Sequence, residues 1–317
     1  MATTVYFATN RRVSNAQDPS SYGPTMVELL HPERMSYGTA FVDGIDIDTN
    51  NQGTITNMGE VITGGWPANA RDDLSQGGRD LLVFIHGFDN SFSDAMTRAA
   101  FNREWLAASA QPHADTMVVS FAWPSLGKVA SFPILQEDYL TDQHMATASG
   151  LHIMAFFANL LPIVQEMRAR GRRVILLAHS MGNLALQAAV EAWFLQGNGP
   201  ANLFDEVILA AGDCTYDAFG FPNLARLSGL GKLSKKISVC YSHNDQVLQL
   251  SMAVNLGAQR LGQDGPLHRT DTAAFPPASF TMLDCSQFQD YAFDFMSSHQ
   301  YYRQSEGARR LIAAQLA

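Results

Sequence analysis

Residues 173–187, RVILLAHSMGNLALQ, decide the fold. The apolar run at 174–177 is too short for a typical helix and is typical of a strand that is buried on both faces. The chain then turns at Ser180 and continues from Asn183 with residues that favour a helix. A serine between a buried strand and a helix, with a small residue two positions away on each side, is the pattern of a nucleophile elbow.

The neighbours of Ser180 fit this interpretation. Gly182 provides the small residue that the turn requires, whereas Ala178 stands where the usual pattern G-x-S-x-G has glycine. The N-terminus of the following helix favours negative charge beside the serine hydroxyl. The alternative is that Ser180 only caps the helix, with small residues easing the join between strand and helix. The order strand, small residue, serine, small residue and helix favours the elbow.

The composition limits the class of protein. With 317 residues, of which 46% are hydrophobic, the chain can bury the core of one large α/β domain, and its length alone would also permit two domains. A net charge of -9 argues against a nucleic-acid partner, so we expect a small, neutral partner molecule. The start of the chain, MATTVYFATNRR, lacks the pattern of a signal peptide, and no apolar run reaches about 18 residues. We therefore expect a soluble, cytoplasmic protein without a membrane span, unless a signal was removed.

The cysteines are Cys214, Cys240 and Cys285, an odd number without the spacing of a metal site. We expect all of them to be free, buried thiols. No other pattern in the chain indicates a metal ion or an organic cofactor, so neither is expected.

Strands and helices alternate along most of the chain. Residues 1–75, rich in Gly, Asn, Pro, Thr and Asp, are expected to form a β-rich lead-in with long loops, and residues 76–317 the core of the same single domain. The expected strands are residues 4–8, 39–42, 54–56, 81–85, 116–122, 174–177, 206–211, 236–241 and 280–283. Expected helices begin at Ser93, Asn183 and Ser305, and another spans 142–167 with a kink at Pro162. This alternation predicts a mostly parallel central sheet with helices on both faces.

The expected strand at 81–85 leads directly into His86-Gly87-Phe88. A tight glycine turn after a central strand can aim backbone N–H groups at one point, as an oxyanion hole requires. We therefore predict that the N–H of Phe88, together with the N–H of Met181, forms an oxyanion hole. The alternative is an ordinary strand-to-helix loop in which His86 is a structural hydrogen-bonding residue. The nearby elbow favours the oxyanion hole.

Weaker candidates for substrate binding are Trp123, Tyr139 and Asp213. Trp123 follows the expected strand at 116–122, where an aromatic residue can either line the mouth of a pocket or belong to the core. The segment 126–139 has mixed character. It carries apolar residues that could form a small flap, namely Phe132, Ile134 and Leu135.

A serine nucleophile needs a base within hydrogen-bonding distance and an acid that orients the base. Of the nine histidines, only His268 and His299 come after both Ser180 and a plausible acid loop. His299 follows the last expected strand, whereas His268 lies in the polar connection before it. We therefore predict His299 as the base. The alternative is a surface histidine beside two tyrosines.

Two aspartates compete for the role of the acid. Asp213 follows the expected strand next to that of Ser180, and Asp245 follows the strand after that. With either aspartate, the chain has the order Ser, Asp, His that is typical of a nucleophile elbow on a parallel sheet. Asp245 lies in the compact turn Ser-His-Asn-Asp, whose polar groups can fix its carboxylate, and it is the preferred acid. For either aspartate, an Asx-turn or a helix cap is the ordinary structural alternative.

Short motifs along nearly the whole chain, from Tyr6 to Tyr302, resemble those of the α/β-hydrolases. They are YFATNR, FIHGFDNSF, SFAWPS, LLAHSMGN, ILAAGD, SHND at 242–245 and SSHQYY. More narrowly, the chain resembles a bacterial branch of that superfamily known as a domain of unknown function. The pairing of Gly87 with the apolar Phe88 resembles the oxyanion loop of many lipases and carboxylesterases.

This resemblance implies a triad of Ser180, Asp245 and His299 and the hydrolysis of esters through an acyl-enzyme. It also implies that Ala178 is tolerated in the elbow, because some bacterial lipases share A-H-S-M-G. The resemblance says little about the natural substrate.

The sequence thus predicts one α/β-hydrolase domain that acts as a serine carboxylic ester hydrolase on a small-molecule ester. The lack of a long apolar insertion between the strands favours short to medium acyl chains. An acyltransferase or a thioesterase could use the same triad, because different nucleophiles can release an acyl group from an acyl-enzyme. A catalytically silent binding protein on this fold is the alternative from another class. The complete set of Ser, His and Asp argues against it.

Overall fold

The computed structural model describes residues 1–127, 135–220, 226–292 and 294–317. Their strands, in chain order, are β1 (Thr3–Thr9), β2 (Arg11–Val13), β3 (Tyr22–Met26), β4 (Ser36–Asp46), β5 (Asn51–Thr63), β6 (Asp80–Ile85), β7 (Thr116–Ala122), β8 (Val174–His179), β9 (Phe204–Ala210), β10 (Ser234–Tyr241) and β11 (Phe280–Asp284). Their α-helices are α1 (Ala68–Gln76), α2 (Phe92–Ala107), α3 (Leu135–Ala148), α4 (Gly150–Ala169), α5 (Gly182–Leu195), α6 (Gln246–Val254), α7 (Leu261–Asp264), α8 (Tyr301–Gln304) and α9 (Glu306–Ala314). Short 3₁₀ helices span Pro19–Ser21, Pro32–Arg34, Arg226–Lys232 and Ser297–His299.

Most of these strands form one sheet, in the order β11-β10-β9-β8-β6-β7-β1-β4-β5. The seven strands from β11 to β1 in this order run parallel to one another, whereas β4 pairs antiparallel with both β1 and β5. The carboxyl ends of parallel strands meet at one edge, so the loops after β6, β8, β9 and β10 emerge on the same side of the sheet. The predicted mostly parallel sheet is therefore confirmed.

Each central strand contributes side chains to both faces of the sheet. In β6, Leu81 and Val83 lie in a core with residues of α4 and α5, whereas Leu82 and Phe84 lie in a second core with residues of α2 and α9. Every residue of β8 is buried, as expected for a strand that is covered on both faces. The predicted helices on both faces of the sheet are confirmed.

The N-terminal region belongs to the same sheet. β1 lies between β7 and β4, and the long hairpin of β4 and β5 extends the sheet to its edge. The expected strands at 39–42 and 54–56 are both too short, because β4 and β5 extend several residues further in each direction. Most of edge strand β5 is not buried, so its sequence shows no apolar alternation, and pairing with β4 holds it in place. The division of the domain at residue 75 stays a prediction.

The expected helix over 142–167 is wrong in its bounds. The structure has two helices here, α3 and α4, which are separated at Ser149, and α4 continues through Pro162. A Cβ on Gly150 would lie 2.8 Å from the backbone carbonyl carbon of Ala188 in α5. Glycine therefore allows α4 to begin in direct contact with α5. The sequence pattern missed this boundary because it depends on a contact between residues that are distant in the chain.

Among the described residues, α4 is the one helix that is long and apolar enough to cross a membrane. Half of its apolar window is buried inside the protein, and the helix packs against α1 and α5. The core helix of a globular domain meets the same criterion of length and composition. The cytoplasmic location stays a prediction.

The predicted apolar flap falls mostly on residues 128–134, including Phe132 and Ile134, which lie outside the described residues. Leu135 is the first residue of α3. The sequence did not predict the helices α1, α6, α7 and α8. These helices have nine, nine, four and four residues, which is too short for apolar positions to repeat clearly at helical spacing.

Candidate active site

Ser180 lies at the sharp turn between β8 and α5. Its φ of 54° falls in the left-handed region, which residues other than glycine adopt rarely and at a cost in free energy. Gly182 is required here, because a Cβ on it would lie 2.5 Å from the carbonyl oxygen of Ile85. Ala178, which stands in place of the usual glycine, is fully buried in β8. The turn therefore has the strained geometry expected of a nucleophile elbow.

The side chain of Asn183 stabilises this turn. Its amide nitrogen donates to the carbonyl oxygens of Ala178 and Ser180, both at 3.1 Å. The backbone N–H of Ser180 donates to the carbonyl of Ala210 at 3.0 Å, which connects the turn to β9. Asn183 is fully buried, so water does not compete for these bonds. The sequence analysis missed this residue, although an amide in the first turn of a largely apolar helix is a signal for such a role.

The structure brings Ser180, His299 and Asp245 together. Nε2 of His299 lies 2.7 Å from the Ser180 hydroxyl, and Nδ1 of His299 lies 2.7 Å from a carboxylate oxygen of Asp245. All three residues are buried. With its proton on Nδ1, a neutral His299 donates to Asp245 and can accept the hydroxyl proton of Ser180. These are the three residues that the sequence analysis selected, and they form one hydrogen-bonded chain.

Two neighbouring rings hold the backbone of His299 close to the elbow. Nε2 of His179 lies 3.2 Å from the His299 carbonyl oxygen, to which it can donate, and the His179 ring stacks on Tyr302 with 4.4 Å between the centroids. Burial holds the pKa of His179 well below its usual value, so this histidine is neutral.

His268, the alternative base, is exposed in the connection before β11.

Asp245 uses its two carboxylate oxygens for different partners. One oxygen binds His299, and the other accepts the N–H of Leu248 at 3.0 Å, which makes Asp245 the N-cap of α6. The helix cap that the sequence analysis considered as an alternative is therefore present in addition to the contact with His299. A capped, fully buried carboxylate is held in one orientation, which sets the direction of the His299 ring.

Asp213, the alternative acid, binds other partners. Its carboxylate accepts the Tyr139 hydroxyl at 2.7 Å and the Ser251 hydroxyl at 2.6 Å, and Nε of Arg260 lies 3.5 Å from it. Burial raises the pKa of Asp213, and the positive charge of Arg260 opposes this rise. The N–H of Asp213 donates to the carbonyl of Ser180 at 3.0 Å. Asp213 and Tyr139, both substrate-binding candidates, thus bind each other and connect α3 and α6 to the elbow.

The β6 loop, which we define as residues 86–90, approaches Ser180 closely. A Cβ on Gly87 would lie 2.7 Å from Cβ of Ser180, so glycine is required for this approach. The next residue is Phe88, whose ring centroid lies 5.7 Å from that of Tyr139. Met181 is the N-cap of α5, at the helix end where backbone N–H groups have no acceptor within the helix. The two N–H groups predicted to form the oxyanion hole are therefore on the two segments that adjoin Ser180.

Trp123 does not lie at a pocket mouth, and this expectation is corrected by the structure. The side chain is fully buried, stacks on His86 with 4.9 Å between the ring centroids, and donates from Nε1 to the His86 carbonyl at 2.7 Å. Burial lowers the pKa of His86 to about 3, so His86 is neutral and has a structural role. An aromatic residue at a strand end is compatible with both a pocket mouth and the core. The residues packed around Trp123 place it in the core.

Asp142 of α3, which the sequence analysis missed, holds the β6 loop. Its carboxylate accepts the N–H of Asp89 at 3.1 Å, the N–H of Leu126 at 2.9 Å and the hydroxyl of Ser125. Burial raises the pKa of Asp142 to about 6, and these hydrogen bonds oppose the rise. Asp142 carries no distinct sequence signal, because it lies in a helical stretch with other acids nearby.

Asn90 stabilises the β6 loop from within. Its amide nitrogen donates to the carbonyls of Gly87 at 3.0 Å and Phe88 at 2.7 Å. Nη2 of the buried Arg11 donates to the carbonyl of Asn90 at 2.6 Å. The backbone around Phe88 is therefore held by side chains from several segments.

In the part of the chain that the structure describes, no group of three or more His, Cys, Asp or Glu side chains is arranged to hold a metal ion. The cysteines Cys214, Cys240 and Cys285 are free and buried, as predicted. Burial raises the pKa of both Cys214 and Cys285 to about 12, so these thiols are protonated and poorly nucleophilic at neutral pH.

A mostly parallel sheet, a serine elbow after a central strand and a histidine after the last strand define the class of the α/β hydrolases. Residues 62–315 match the model of a family described as alpha/beta hydrolase of unknown function, DUF900. This match spans most of the chain, and the chain belongs to that family. The family resemblance and the α/β-hydrolase fold predicted from the sequence are confirmed.

Solved structures with similarity to the chain include three enzymes. Esterase PE8 has 15% identity and a TM-score of 0.41, over 77% of this chain and 94% of that chain. LpqC, a poly(3-hydroxybutyrate) depolymerase from Bordetella parapertussis, has 13% identity and a TM-score of 0.42, over 92% and 93%. EstE1, a thermophilic carboxylesterase cloned from a metagenomic library, has 14% identity and a TM-score of 0.34, over 75% and 79%. No curated protein matches the chain, and the family assignment rests on the family model alone.

Proposed function

We propose that the protein is a serine carboxylic ester hydrolase that works through an acyl-enzyme on short to medium acyl esters. The observation that carries the proposal is the hydrogen-bonded chain from Ser180 through His299 to Asp245, with 2.7 Å at each step. A serine that contacts a base, which is in turn oriented by a buried acid, is the arrangement that activates a hydroxyl for nucleophilic attack. Membership of a hydrolase family supports the class of reaction.

In the first step of this mechanism, the Ser180 oxygen attacks the ester carbonyl while Nε2 of His299 takes up the hydroxyl proton. The carbonyl oxygen becomes negatively charged, and the N–H groups of Phe88 and Met181 stabilise it. Asp245 stabilises the positive charge on His299. His299 then protonates the leaving alkoxide, the alcohol departs, and the acyl group remains on Ser180.

In the second step, water replaces the alcohol. His299 removes a proton from the water molecule as its oxygen attacks the acyl carbonyl, and the same N–H groups stabilise the second oxyanion. The bond between the acyl carbon and the Ser180 oxygen then breaks. His299 returns the proton to Ser180, and the carboxylic acid is released.

Helix α3 supports the oxyanion hole in this proposal. Asp142 holds the β6 loop one residue after Phe88, and Tyr139 holds Asp213, whose N–H binds the carbonyl of Ser180. One helix therefore acts on both segments that supply the N–H groups. A catalytic group that is displaced by about 1 Å can reduce an enzymatic rate about 100-fold. The position of α3 should therefore affect kcat, because it sets the position of these N–H groups.

The variant Ser180→Ala should lose ester turnover by at least about 10³-fold, because no other hydroxyl among the described residues hydrogen-bonds to the His299 ring. The rate is measured with p-nitrophenyl butyrate, and labelling with a fluorophosphonate reports the nucleophile directly. The exposed Ser14→Ala serves as the matched control and should keep both properties. Turnover by Ser180→Ala within about tenfold of the native rate would refute the role of Ser180.

The acid is tested by comparing Asp245→Asn with Asp213→Asn. An amide at position 245 presents the wrong partner to Nδ1 of His299, and we expect a rate loss on the order of 10⁴-fold, as in serine proteases. Asp213→Asn should lose about tenfold or less, because Asp213 binds Tyr139 and Ser251 and not His299. Melting temperatures establish that both variants are folded. A larger loss in Asp213→Asn would transfer the role of acid to Asp213.

The variant Asp142→Asn should lower kcat by about 10- to 100-fold and leave KM within about threefold of the native value. Its amide NH₂ group would face one of the N–H groups of Asp89 and Leu126, so the β6 loop would shift while the triad remained intact. The measurement is a full kinetic curve with p-nitrophenyl butyrate. Glu137→Gln, an exposed change on the same helix, is the control. Equal kcat values for the two variants would contradict this role.

The acyl preference is tested with a series of p-nitrophenyl esters from acetate to palmitate. We expect kcat/KM to be highest for short to medium chains, because the sequence has no long apolar insertion to cover a longer chain. Each methylene group of the acyl chain adds about 0.8 kcal/mol of favourable binding free energy only where the protein removes it from water. A marked rate increase with long-chain triglycerides at a lipid–water interface would be the opposite result.

A further inference from the structure

A cavity of about 240 Å³ lies on the segment that carries His299, away from Ser180. Its lining includes Ser297, from the same 3₁₀ helix as His299, and Arg303, which lies four residues after His299 in the chain. The proposed mechanism uses neither residue. The volume is below that of a site for a drug-sized molecule and suits a small ligand.

Arg303 is a buried cation without an acidic partner. Its side chain is 4% exposed, Nε donates to the amide oxygen of Gln300 at 2.8 Å, and Nη1 donates to the amide oxygen of Asn50 at 3.0 Å. Both oxygens belong to neutral side chains, and no carboxylate in the described chain forms an ion pair with Arg303. Its other neighbours are the hydroxyl of Tyr302, which hydrogen-bonds to it, and the Phe101 ring, whose centroid lies 5.4 Å from the guanidinium carbon. The nearby side chain with a full charge is a second cation, Arg98.

Buried charges in proteins are normally paired, because an uncompensated charge away from water is costly. Burial lowers the pKa of Arg303 to about 10, so the guanidinium is still charged at neutral pH. A guanidinium has five N–H donors in a planar fork that matches a carboxylate. The amide oxygens of Gln300 and Asn50 and the hydroxyl of Tyr302 engage one N–H each, which leaves two donors. An anion in the cavity would therefore supply the countercharge that the protein itself does not.

The other walls of the cavity restrict the anion. Ile47, Trp105 and Tyr291 provide apolar and aromatic surface, which suits a ligand with a short hydrocarbon part. Asp48 is exposed at the same cavity, and its negative charge disfavours a ligand with two negative charges. The walls thus favour a monoanion with an apolar tail over a phosphate.

We propose that this cavity is a second ligand site, which binds a small monocarboxylate through Arg303 and its hydrocarbon part against Trp105 and Tyr291. The site is separate from the triad, and binding there involves no chemical step. Its existence does not depend on the proposed ester hydrolysis, since it is measured by binding alone.

The test is calorimetric titration of the native protein with butyrate, with butyramide as the neutral isostere and with inorganic phosphate. Native protein should bind butyrate at least about tenfold more tightly than butyramide, because the charge-assisted bonds to Arg303 are lost with the amide. Phosphate should also bind more weakly than butyrate. Equal affinity for butyrate and butyramide, or no binding of butyrate, would overturn the proposal.

Variants locate the binding. Arg303→Gln should weaken butyrate binding at least about tenfold, whereas Arg310→Gln, which removes a charge from a side chain that is 77% exposed, should leave it unchanged. Ala292→Trp fills the cavity from an exposed position and should likewise weaken butyrate binding at least about tenfold, which tests the site if Arg303→Gln does not fold. Both variants leave Ser180 in place, so they would not weaken butyrate binding at the triad. A loss of affinity in them therefore reports the cavity at Arg303. Native affinity in a folded Arg303→Gln or in Ala292→Trp would refute the site.

Discussion

The backbone of Ser180 is the constraint on which the site depends. It keeps a φ of 54°, which a serine retains only where its surroundings hold it. The amide of Asn183 and the N–H of Asp213 both donate to the Ser180 carbonyl, so the peptide group that follows the serine is fixed. Gly87 and Gly182 allow the end of β6 and the β6 loop to lie against the turn, where a side chain at either position would force the two segments apart. The strained serine, the β6 loop and the start of α5 thus form one packed unit.

Buried carboxylates connect this unit to helix α3. Burial raises the pKa of both Asp142 and Asp213, which measures how unfavourable their charge is away from water. Each accepts hydrogen bonds from other segments, and those bonds offset part of that unfavourable energy. A network of this kind stabilises one arrangement of its segments, because a donor that moves leaves a buried charge unsatisfied. The position of α3 and the position of the elbow are therefore coupled.

The buried strands are the part of the fold that the sequence predicts best. β6, β7 and β8 carry apolar residues for both faces of the sheet, and short apolar runs mark them to within two residues. Edge strand β5 has no such pattern, since most of its residues are not buried. The break at Gly150 reflects a contact with Ala188 rather than any local preference. Local composition therefore predicts the strands that are buried on both faces. It does not predict a strand that is held by pairing at the sheet edge, or a helix boundary that is set by packing against another helix.

The sequence by itself determined the turn from strand to helix at Ser180 and the order Ser, Asp, His, because both are properties of residue types along the chain. Only the tertiary structure decided which aspartate contacts His299, since Asp213 and Asp245 have the same order and differ in the direction of their side chains. His299 is 119 positions from Ser180 and 54 positions from Asp245. The parallel sheet brings their loops to one edge, and the burial of Trp123 and Asp142 follows from the same long-range packing. These contacts join residues far apart in the chain, and a local pattern does not record them.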